Sequence, residues 1–358
     1  MKKVLLFSLL FFIFVGNVNA STSTAHSYVL MDMTTGRVLS GKNYNTPYLI
    51  ASITKIMTCV LAVESGKLDE VVVVDDIVKE AYGSGIYIEV GEELTLRDLL
   101  YGLMLRSGND AALMVAKYVG GDVETFVNMM NNKAKTIGMT NTVFNNPSGL
   151  DNTDAGNYST SYDMALLTRY AMQYEEYQEI VKTKVYKLKT NKKSYIWHNK
   201  NKLLQYDYIT GGKTGYTEKA KRTLVSTASH NNIDLIVVTI KDSDDWNTHK
   251  TLYETTFDQY DSYRVLNKKN FDVVGDTFYQ GDFYIKNDVY IPLKAGEGTN
   301  LIGKIKLNAS DDYSNNDKVG EYQIYLDDKF LYKEDIYIKN VNKKKSSKLF
   351  ALFKENAL

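Results

Sequence analysis

A serine and a lysine three residues apart form the first motif that could carry out chemistry. Ser52-x-x-Lys55 begins a strongly periodic helical pattern, and this spacing occurs once in the chain. Side chains three residues apart lie on the same face of a helix, so the Lys55 amine can reach the Ser52 hydroxyl. A serine becomes a good nucleophile when a neighbouring base takes its proton, and a deprotonated amine can be that base. The spacing permits an activated serine, but taken alone it is more typical of a surface Ser and Lys on a helix.

A second motif offers a hydroxyl and an amide side by side. Ser107-Gly108-Asn109 lies in a predicted turn between two helices, and the same S-x-N pattern recurs at 229–231 and 314–316. The predicted location of Ser107-Gly108-Asn109 between two helices is therefore more informative than the S-x-N pattern itself. A turn that merely caps the next helix would have the same composition.

The third motif, Lys213-Thr214-Gly215, lies within a predicted strand. A strand edge can pair with an extended peptide backbone, and a glycine there allows a close approach. Lys213 and Thr214 offer a cation and a hydroxyl to a carboxylate. Taken alone, the motif is more typical of a glycine-containing turn that exposes a lysine.

Together, and in this order, the three motifs resemble the set shared by penicillin-binding proteins and class A β-lactamases. The residues around them are more specific, because four longer segments resemble the low-molecular-mass D-alanyl-D-alanine carboxypeptidases. These segments are 51–58 (ASITKIMT), 105–112 (LRSGNDAA), 146–150 (NPSGL) and 211–217 (GGKTGYT). The resemblance extends over about residues 25–262.

The resemblance implies a serine acyl-transfer reaction that uses no cofactor. Ser52 would attack the carbonyl carbon between the two terminal D-alanines of a peptidoglycan stem peptide, and Lys55 would take its proton. Ser107 would relay the proton to the departing D-alanine. Asn109 would orient the lysine and the substrate amide. Water would then hydrolyse the acyl-enzyme, and β-lactam antibiotics would be covalent inhibitors of the same serine.

The resemblance also implies how the substrate is held. Lys213 and Thr214 would bind its terminal carboxylate, and Gly215 would let its backbone approach the strand. The backbone N–H groups of Ser52 and Tyr216 would form an oxyanion hole, in which a single donor typically contributes a factor of about 10²–10³ in rate.

Hydrophobic spacing indicates the elements that must position these groups. Apolar residues recur on one face over Ser52–Ser65, and Gly66 ends that predicted helix. Other helices are predicted over 95–106, 110–118, 122–137 and 247–260, and strands over 27–33, 37–39, 207–216, 222–228 and 233–240. Because strands both precede and follow the helices, we predict an α/β (α+β) catalytic domain, with an antiparallel sheet and a helical insert. The resemblance implies the β-lactamase/transpeptidase-like version of this fold.

The chain then changes to short alternating runs separated by polar turns, which is typical of an all-β module. We therefore predict a catalytic domain over 21–265 and a small C-terminal β-rich domain over 266–341.

The two ends of the chain have different compositions from the predicted domains. Residues 1–20 combine two lysines, an apolar run and small residues, which predicts an export signal and an extracytoplasmic protein. Residues 342–358 combine lysines with leucines and phenylalanines. This basic amphipathic tail is compatible with a solvated end or with peripheral contact to a membrane surface.

Composition excludes several other classes. The 43 basic and 43 acidic side chains balance, whereas a nucleic-acid-binding protein usually carries a basic surplus. One cysteine, Cys59, permits no intramolecular disulfide, and the 4 histidines have no metal-ligand spacing. We therefore predict neither a metal nor a nucleic-acid partner.

Two alternative functions share these motifs. A class A-like β-lactamase would also need a glutamate, four residues before an asparagine, to activate the deacylating water. Glu124 and Asn128 have that spacing, but they lie in the predicted amphipathic helix over 122–137, whose packing accounts for it, so we interpret the spacing as coincidental. A non-catalytic module that binds penicillin or cell wall would keep the fold, but it would not need Ser52 and Lys55 together.

Overall fold

The structure is a computed structural model that describes residues 23–151, 156–308, 310 and 312–341. The predicted export signal and the predicted basic tail lie outside these residues. Within the described part of the chain, no helix is long and apolar enough to cross a membrane.

The described residues form seven α-helices and 17 strands. The helices are α1 Lys55–Glu64, α2 Leu96–Arg106, α3 Asn109–Gly120, α4 Val123–Thr136, α5 Ser161–Ala171, α6 Glu175–Lys182 and α7 Asp245–Gln259. The strands are β1 Ser27–Asp32, β2 Val38–Lys42, β3 Tyr48–Leu49, β4 Val71–Val73, β5 Glu93–Thr95, β6 Tyr158–Ser159, β7 Val185–Lys189, β8 Ser194–His198, β9 Ile209–Thr217, β10 Lys221–His230, β11 Ile233–Ile240, β12 Asp261–Leu266, β13 Asp282–Tyr284, β14 Val289–Leu293, β15 Leu301–Leu307, β16 Lys318–Leu326 and β17 Lys329–Lys339.

A five-stranded antiparallel sheet forms the centre of the first domain, in the order β2-β1-β11-β10-β9. Asn231 and Asn232 connect β10 to β11 with φ of 50° and 60°, the left-handed values of a tight hairpin turn. Alternate residues of β1 pack on opposite faces: Met31 joins the core under the helical insert, and Leu30 joins the core under α7. Helices therefore cover both faces of the sheet, and β9 remains an edge strand beside the insert.

Local signals set the ends of the helices in the insert. Thr95 and Asp98 form a capping box at the start of α2, which satisfies two backbone N–H groups that the helix leaves unpaired. The Asp122 side chain caps α4 in the same way, by accepting a hydrogen bond from the Thr125 N–H. In α1, every residue from Lys55 to Val63 is buried, so α1 lies at the centre of the insert. The predicted helices are confirmed to within a few residues, but α5, α6 and the β7–β8 hairpin were not predicted.

The C-terminal region contains a four-stranded antiparallel sheet, β13-β17-β16-β15, and the strand pair β12–β14. β12 continues directly from the first domain after α7 and spans the predicted boundary at residues 265 and 266. An ion pair joins the two regions, because the Arg37 guanidinium donates to both carboxylate oxygens of Glu297. The predicted fold class, antiparallel sheets with helices and a C-terminal all-β region, is confirmed.

A buried histidine lies between the sheet and α7. His249 is fully buried, and its ring nitrogens lie 2.7 Å from the Ser226 hydroxyl and 3.0 Å from the Thr239 hydroxyl. Burial lowers the pKa of His249 from 6.5 to about 3. The folded protein therefore holds this imidazole neutral at a pH where an exposed imidazole would already be protonated.

Acid should destabilise the fold through His249. Between pH 6.5 and about 3 the unfolded chain takes up a proton at this residue that the folded chain does not. The contribution of His249 to the free energy of unfolding is therefore fully present above pH 6.5. It falls as the pH decreases, by up to about 1.4 kcal/mol per pH unit. Urea denaturation at a series of pH values should show this slope in the wild type and a shallower one in His249→Gln. Equal slopes in the two proteins would assign the acid sensitivity to other groups.

Candidate active site

Ser52 lies in a short turn that leads into the most buried helix of the domain. A 3-10 turn over Ala51–Thr54 precedes α1 and packs on β9 and β10. Ala51 adopts a φ of 49° and is 2% exposed, a left-handed conformation that costs a residue other than glycine on the order of 1 kcal/mol. This turn places Ser52 in the lining of a cleft.

The Lys55 amine makes three close contacts, and each of them is with an oxygen atom. Its Nζ lies 3.0 Å from the Ser52 Oγ, 2.7 Å from the Asn109 Oδ1 and 2.6 Å from the backbone oxygen of Ser148. Lys55 is fully buried, and burial, with a smaller contribution from the positive charge of Lys200, lowers its pKa to about 7. Near neutral pH much of this amine is unprotonated and within hydrogen-bonding distance of the serine.

The Ser148 carbonyl was not predicted as a site group. The Asn146 side chain accepts hydrogen bonds from the Ser148 and Gly149 N–H groups, at 3.1 and 2.6 Å, and thereby shapes the loop. A Cβ on Gly149 would lie 1.9 Å from the Ala51 oxygen, so only glycine fits against the turn that carries the nucleophile. The Asn-Pro-Ser-Gly-Leu segment was the available signal, but it does not indicate which backbone oxygen faces the lysine.

The second motif lies where α2 ends and α3 begins. Ser107 ends α2 with a φ of 65°, is 5% exposed and lines the cleft. The Asn109 Oδ1 accepts a hydrogen bond from the Lys55 amine, and its Nδ2 donates to the Tyr82 backbone oxygen at 2.6 Å. The hydrogen bond from the Asn109 Nδ2 therefore fixes the orientation of the amide, so that its oxygen points toward Lys55.

A loop before α2, residues 81–88, packs against this motif. The Asp110 carboxylate accepts hydrogen bonds from the N–H groups of Ile86 and Tyr87, at 3.0 and 2.6 Å. The Asn109 N–H also donates a hydrogen bond to the backbone oxygen of Ser84 in this loop, at 2.8 Å. This buried aspartate was not predicted, because its partners are backbone groups more than 20 residues earlier in the chain.

The third motif lies on the edge strand β9. Lys213 is 1% exposed, and its Nζ donates to the Thr214 oxygen at 2.7 Å. Burial, and then the charges of Lys55 and Lys200, hold the pKa of Lys213 well below its usual range. A Cβ on Gly215 would lie 2.9 Å from the Ser52 nitrogen. The glycine thus lets the strand approach the backbone of the nucleophile.

A cleft of about 340 Å³ opens between the insert and β9. Of the eight predicted site residues, three are buried behind its wall: Lys55, Asn109 and Lys213. The other five predicted residues line the cleft: Ser52, Ser107, Thr214, Gly215 and Tyr216. Seven further lining residues were not predicted: Ser84, Lys200, Lys202, Arg222, Thr223, Asp245 and Trp246. The fold therefore brings all three motifs to one cleft.

The glutamate of the β-lactamase alternative lies outside the lining of the cleft. Glu124 is exposed on α4 and is not among the residues that line the cleft. Among the described residues, no group of three or more His, Cys, Asp or Glu side chains could hold a metal ion.

Comparison with known families explains this arrangement. The sequence profile of the D-alanyl-D-alanine carboxypeptidases, peptidase family S11, matches residues 15–244. The chain belongs to this family. A second profile, the C-terminal domain of penicillin-binding protein 5, matches residues 268–344 of this carboxypeptidase. The predicted family and the predicted enzyme class, a serine-type peptidase, are confirmed.

Some relatives match both regions of this carboxypeptidase, and others match the catalytic region alone. The D-alanyl-D-alanine carboxypeptidase DacF of Bacillus subtilis is 33% identical over 338 residues, which cover 89% of this chain and 86% of the relative. Penicillin-binding protein 5 of Haemophilus influenzae superposes with a TM-score of 0.71 at 25% identity, and the match covers 90% of this chain and 99% of that one. A Streptomyces K15 DD-transpeptidase variant matches the catalytic part, with a TM-score of 0.61 and 30% identity over 66% of this chain and 97% of its own.

Proposed function

We propose that this carboxypeptidase removes the terminal D-alanine from peptidoglycan stem peptides through an acyl-enzyme on Ser52. One observation carries the proposal: a buried amine with a pKa lowered to about 7 lies 3.0 Å from a hydroxyl that faces the cleft. An amine in that state can take a proton from the hydroxyl at physiological pH.

Acylation would begin with attack of the Ser52 Oγ on the carbonyl carbon of the scissile bond. Lys55 takes the hydroxyl proton as the new C–O bond forms. The backbone N–H groups of Ser52 and Tyr216 stabilise the resulting oxyanion. The C–N bond then breaks, and D-alanine leaves with the proton, which reaches its nitrogen from Lys55 through the Ser107 hydroxyl. Attack by water on the ester restores Ser52 and releases the shortened peptide.

Residues of β9 on one side of the cleft and Asn109 on the other would bind the substrate. The backbone of the peptide would extend along the edge strand β9, where Gly215 leaves room for it. Thr214 lines the cleft, whereas Lys213 is buried and its Nζ donates to the Thr214 backbone oxygen. The terminal carboxylate would therefore bind the Thr214 hydroxyl directly, with the Lys213 amine behind it. Asn109 would position both the substrate amide and Lys55.

β-Lactams would acylate the same serine, because they present a reactive amide with a nearby carboxylate. The penicilloyl group would leave slowly, since it stays in the cleft and blocks water. A β-lactamase would need an acidic side chain beside that ester, and Glu124 is exposed on α4 instead. We therefore favour the carboxypeptidase over the β-lactamase alternative.

The substrate implies a site of action outside the cytoplasm, which agrees with the predicted export signal. The predicted contact of the C-terminal tail with a membrane surface stays a prediction, because that tail lies outside the described residues.

The purified mature chain, residues 21–358, should release D-alanine from a pentapeptide stem over many turnovers. The same protein should form a penicillin acyl-enzyme that persists for minutes or longer. Liberated D-alanine and mass spectrometry of the labelled protein measure the two outcomes, and Glu124→Gln serves as the control, with no expected change in either. Rapid penicillin hydrolysis that is lost in Glu124→Gln would show that the enzyme is a β-lactamase.

A further inference from the structure

We propose that the lysine hairpin, residues 182–202 with strands β7 and β8, is an exosite for polymeric substrate. It binds the carboxylates of stem peptides that neighbour the peptide in the cleft. This inference rests on the proposed function and names the form of the substrate, a peptidoglycan strand rather than a free peptide. The charge of the hairpin, its few acidic partners and its position beside the cleft support it.

The lysine hairpin carries charge of one sign only. Residues 182–202 contain eight lysines and one histidine but no aspartate or glutamate, in a chain whose 43 basic and 43 acidic side chains balance. A surface that only has to be soluble usually mixes both signs, whereas a field of one sign attracts a ligand of opposite charge. Lysines on an edge strand also discourage aggregation, but that role does not require lysines at a cleft.

The two faces of the hairpin differ in composition. Tyr186 stacks on Tyr101 of α2, with ring centres 3.7 Å apart, and Trp197 is 4% exposed. Side chains alternate along a strand, so Lys187 and Lys189 lie on the opposite face of β7, where both are exposed. The aromatic face therefore anchors the hairpin on the helical insert and leaves the lysines in solvent.

The charges of most of these lysines are not neutralised by the protein. Lys193 lies 2.8 Å from the Glu89 carboxylate, and neutral oxygen atoms accept hydrogen bonds from Lys192 and Lys200. Within the part of the chain that the structure describes, the other five lysines make no ion pair and no side-chain hydrogen bond. Their charges are therefore available to a ligand.

The lysine hairpin leads directly into the cleft. The Asn199 N–H donates to the Lys184 oxygen at 2.9 Å and closes the base of the hairpin. Just after this base, Lys200 and Lys202 line the same cleft as Ser52. A five-residue strand such as β7 spans about 17 Å, so the lysines extend the positive surface beyond the cleft itself.

A peptidoglycan strand has the complementary charge. Its glycan carries many stem peptides, and each of them ends in a carboxylate until it is cross-linked. When one peptide enters the cleft, its neighbours on the same strand bring further carboxylates close to the enzyme. Lysine is a flexible point charge, which suits carboxylates whose spacing varies. Exposed ion pairs are weak individually, so several of them should lower the KM for strands without changing kcat.

The test compares two substrates of the mature chain at equal concentrations of pentapeptide: a single disaccharide pentapeptide, and uncross-linked glycan strands that carry the same pentapeptide. The wild type should have the lower KM for strands, and salt should reduce this preference by screening the charges. Lys187→Gln/Lys189→Gln should raise the KM for strands roughly 2- to 30-fold, the range expected for two exposed ion pairs. Lys187→Glu/Lys189→Glu should raise it further. Both variants should turn over the single disaccharide pentapeptide as the wild type does.

A matched control reverses two lysines elsewhere. Lys304 and Lys306 are exposed, have the same spacing and lie on β15, an edge strand of the C-terminal sheet. Lys304→Glu/Lys306→Glu changes the net charge equally and should keep the wild-type KM for strands. An equal effect of both charge reversals would assign the preference to net charge and overturn the exosite.

Binding to phosphatidylglycerol vesicles distinguishes a lipid ligand from the strand. If Lys187→Glu/Lys189→Glu loses vesicle binding but keeps the wild-type preference for strands, the lysine hairpin contacts lipid and the proposal is wrong. A wild-type enzyme with equal KM for both substrates would also refute the exosite. Failure to release D-alanine from either substrate would instead refute the proposed function, which is a different result.

Discussion

Replacing Ser52 with alanine should reduce D-alanine release by a factor of roughly 10⁴–10⁶, as loss of a serine nucleophile does in other hydrolases. Covalent labelling by penicillin should disappear with it. Ser52 lines the cleft, lies in the turn that leads into α1, and has a buried amine 3.0 Å from its hydroxyl. Labelling with a fluorescent penicillin and a coupled assay for free D-alanine measure both effects.

The Ser52→Ala variant should remain folded, so the loss can be assigned to chemistry. The Lys55 amine keeps its contacts with Asn109 and the Ser148 oxygen when the hydroxyl is removed. Circular dichroism and the melting temperature should stay close to those of the wild type. Continued labelling, with mass spectrometry placing the adduct on another residue, would contradict the assignment of the nucleophile.

Features set by neighbouring residues could be predicted from the sequence. The bounds of α2 and α4 follow from Thr95 and Asp122, whose side chains bond to N–H groups three residues later. The β10–β11 hairpin follows from two asparagines that tolerate positive φ. Each of these signals lies within a few positions of the structure that it specifies.

The order of strands in the sheet could not be read in that way. β1 pairs with β11, about 200 residues later, and the edge position of β9 depends on that pairing. Burial of both sheet faces selects this arrangement, and no local pattern encodes it. α5 was missed although Thr160 caps it through the Asp163 N–H, so a usable signal was present.

Side-chain motifs indicated the candidate reactive groups, but no motif specifies a contact made by a backbone oxygen. The Ser148 and Tyr82 oxygens complete the surroundings of Lys55 and Asn109, and any residue type can present a carbonyl. Arg222 belongs to no motif, and it reaches the cleft because of its register against Tyr216 and its bond to Asp245. Contacts of this kind depend on tertiary structure.

Replacing Lys55 should slow acylation by a factor of about 10²–10⁴, the usual contribution of a general base. Wild-type acylation should rise with pH through about 7 and then level off, because burial lowers the pKa of Lys55 to about 7 and the unprotonated amine is the reactive form. Lys55→Ala should show neither the wild-type acylation rate nor this pH dependence. Lys55→Arg keeps a positive charge that does not dissociate, so it should be as slow as Lys55→Ala if the amine is a base. Rates of acylation by a fluorescent penicillin from pH 5.5 to 9, with melting temperatures as a check on folding, give the comparison. A folded Lys55→Arg enzyme with the wild-type rate would mean that this residue contributes only its charge.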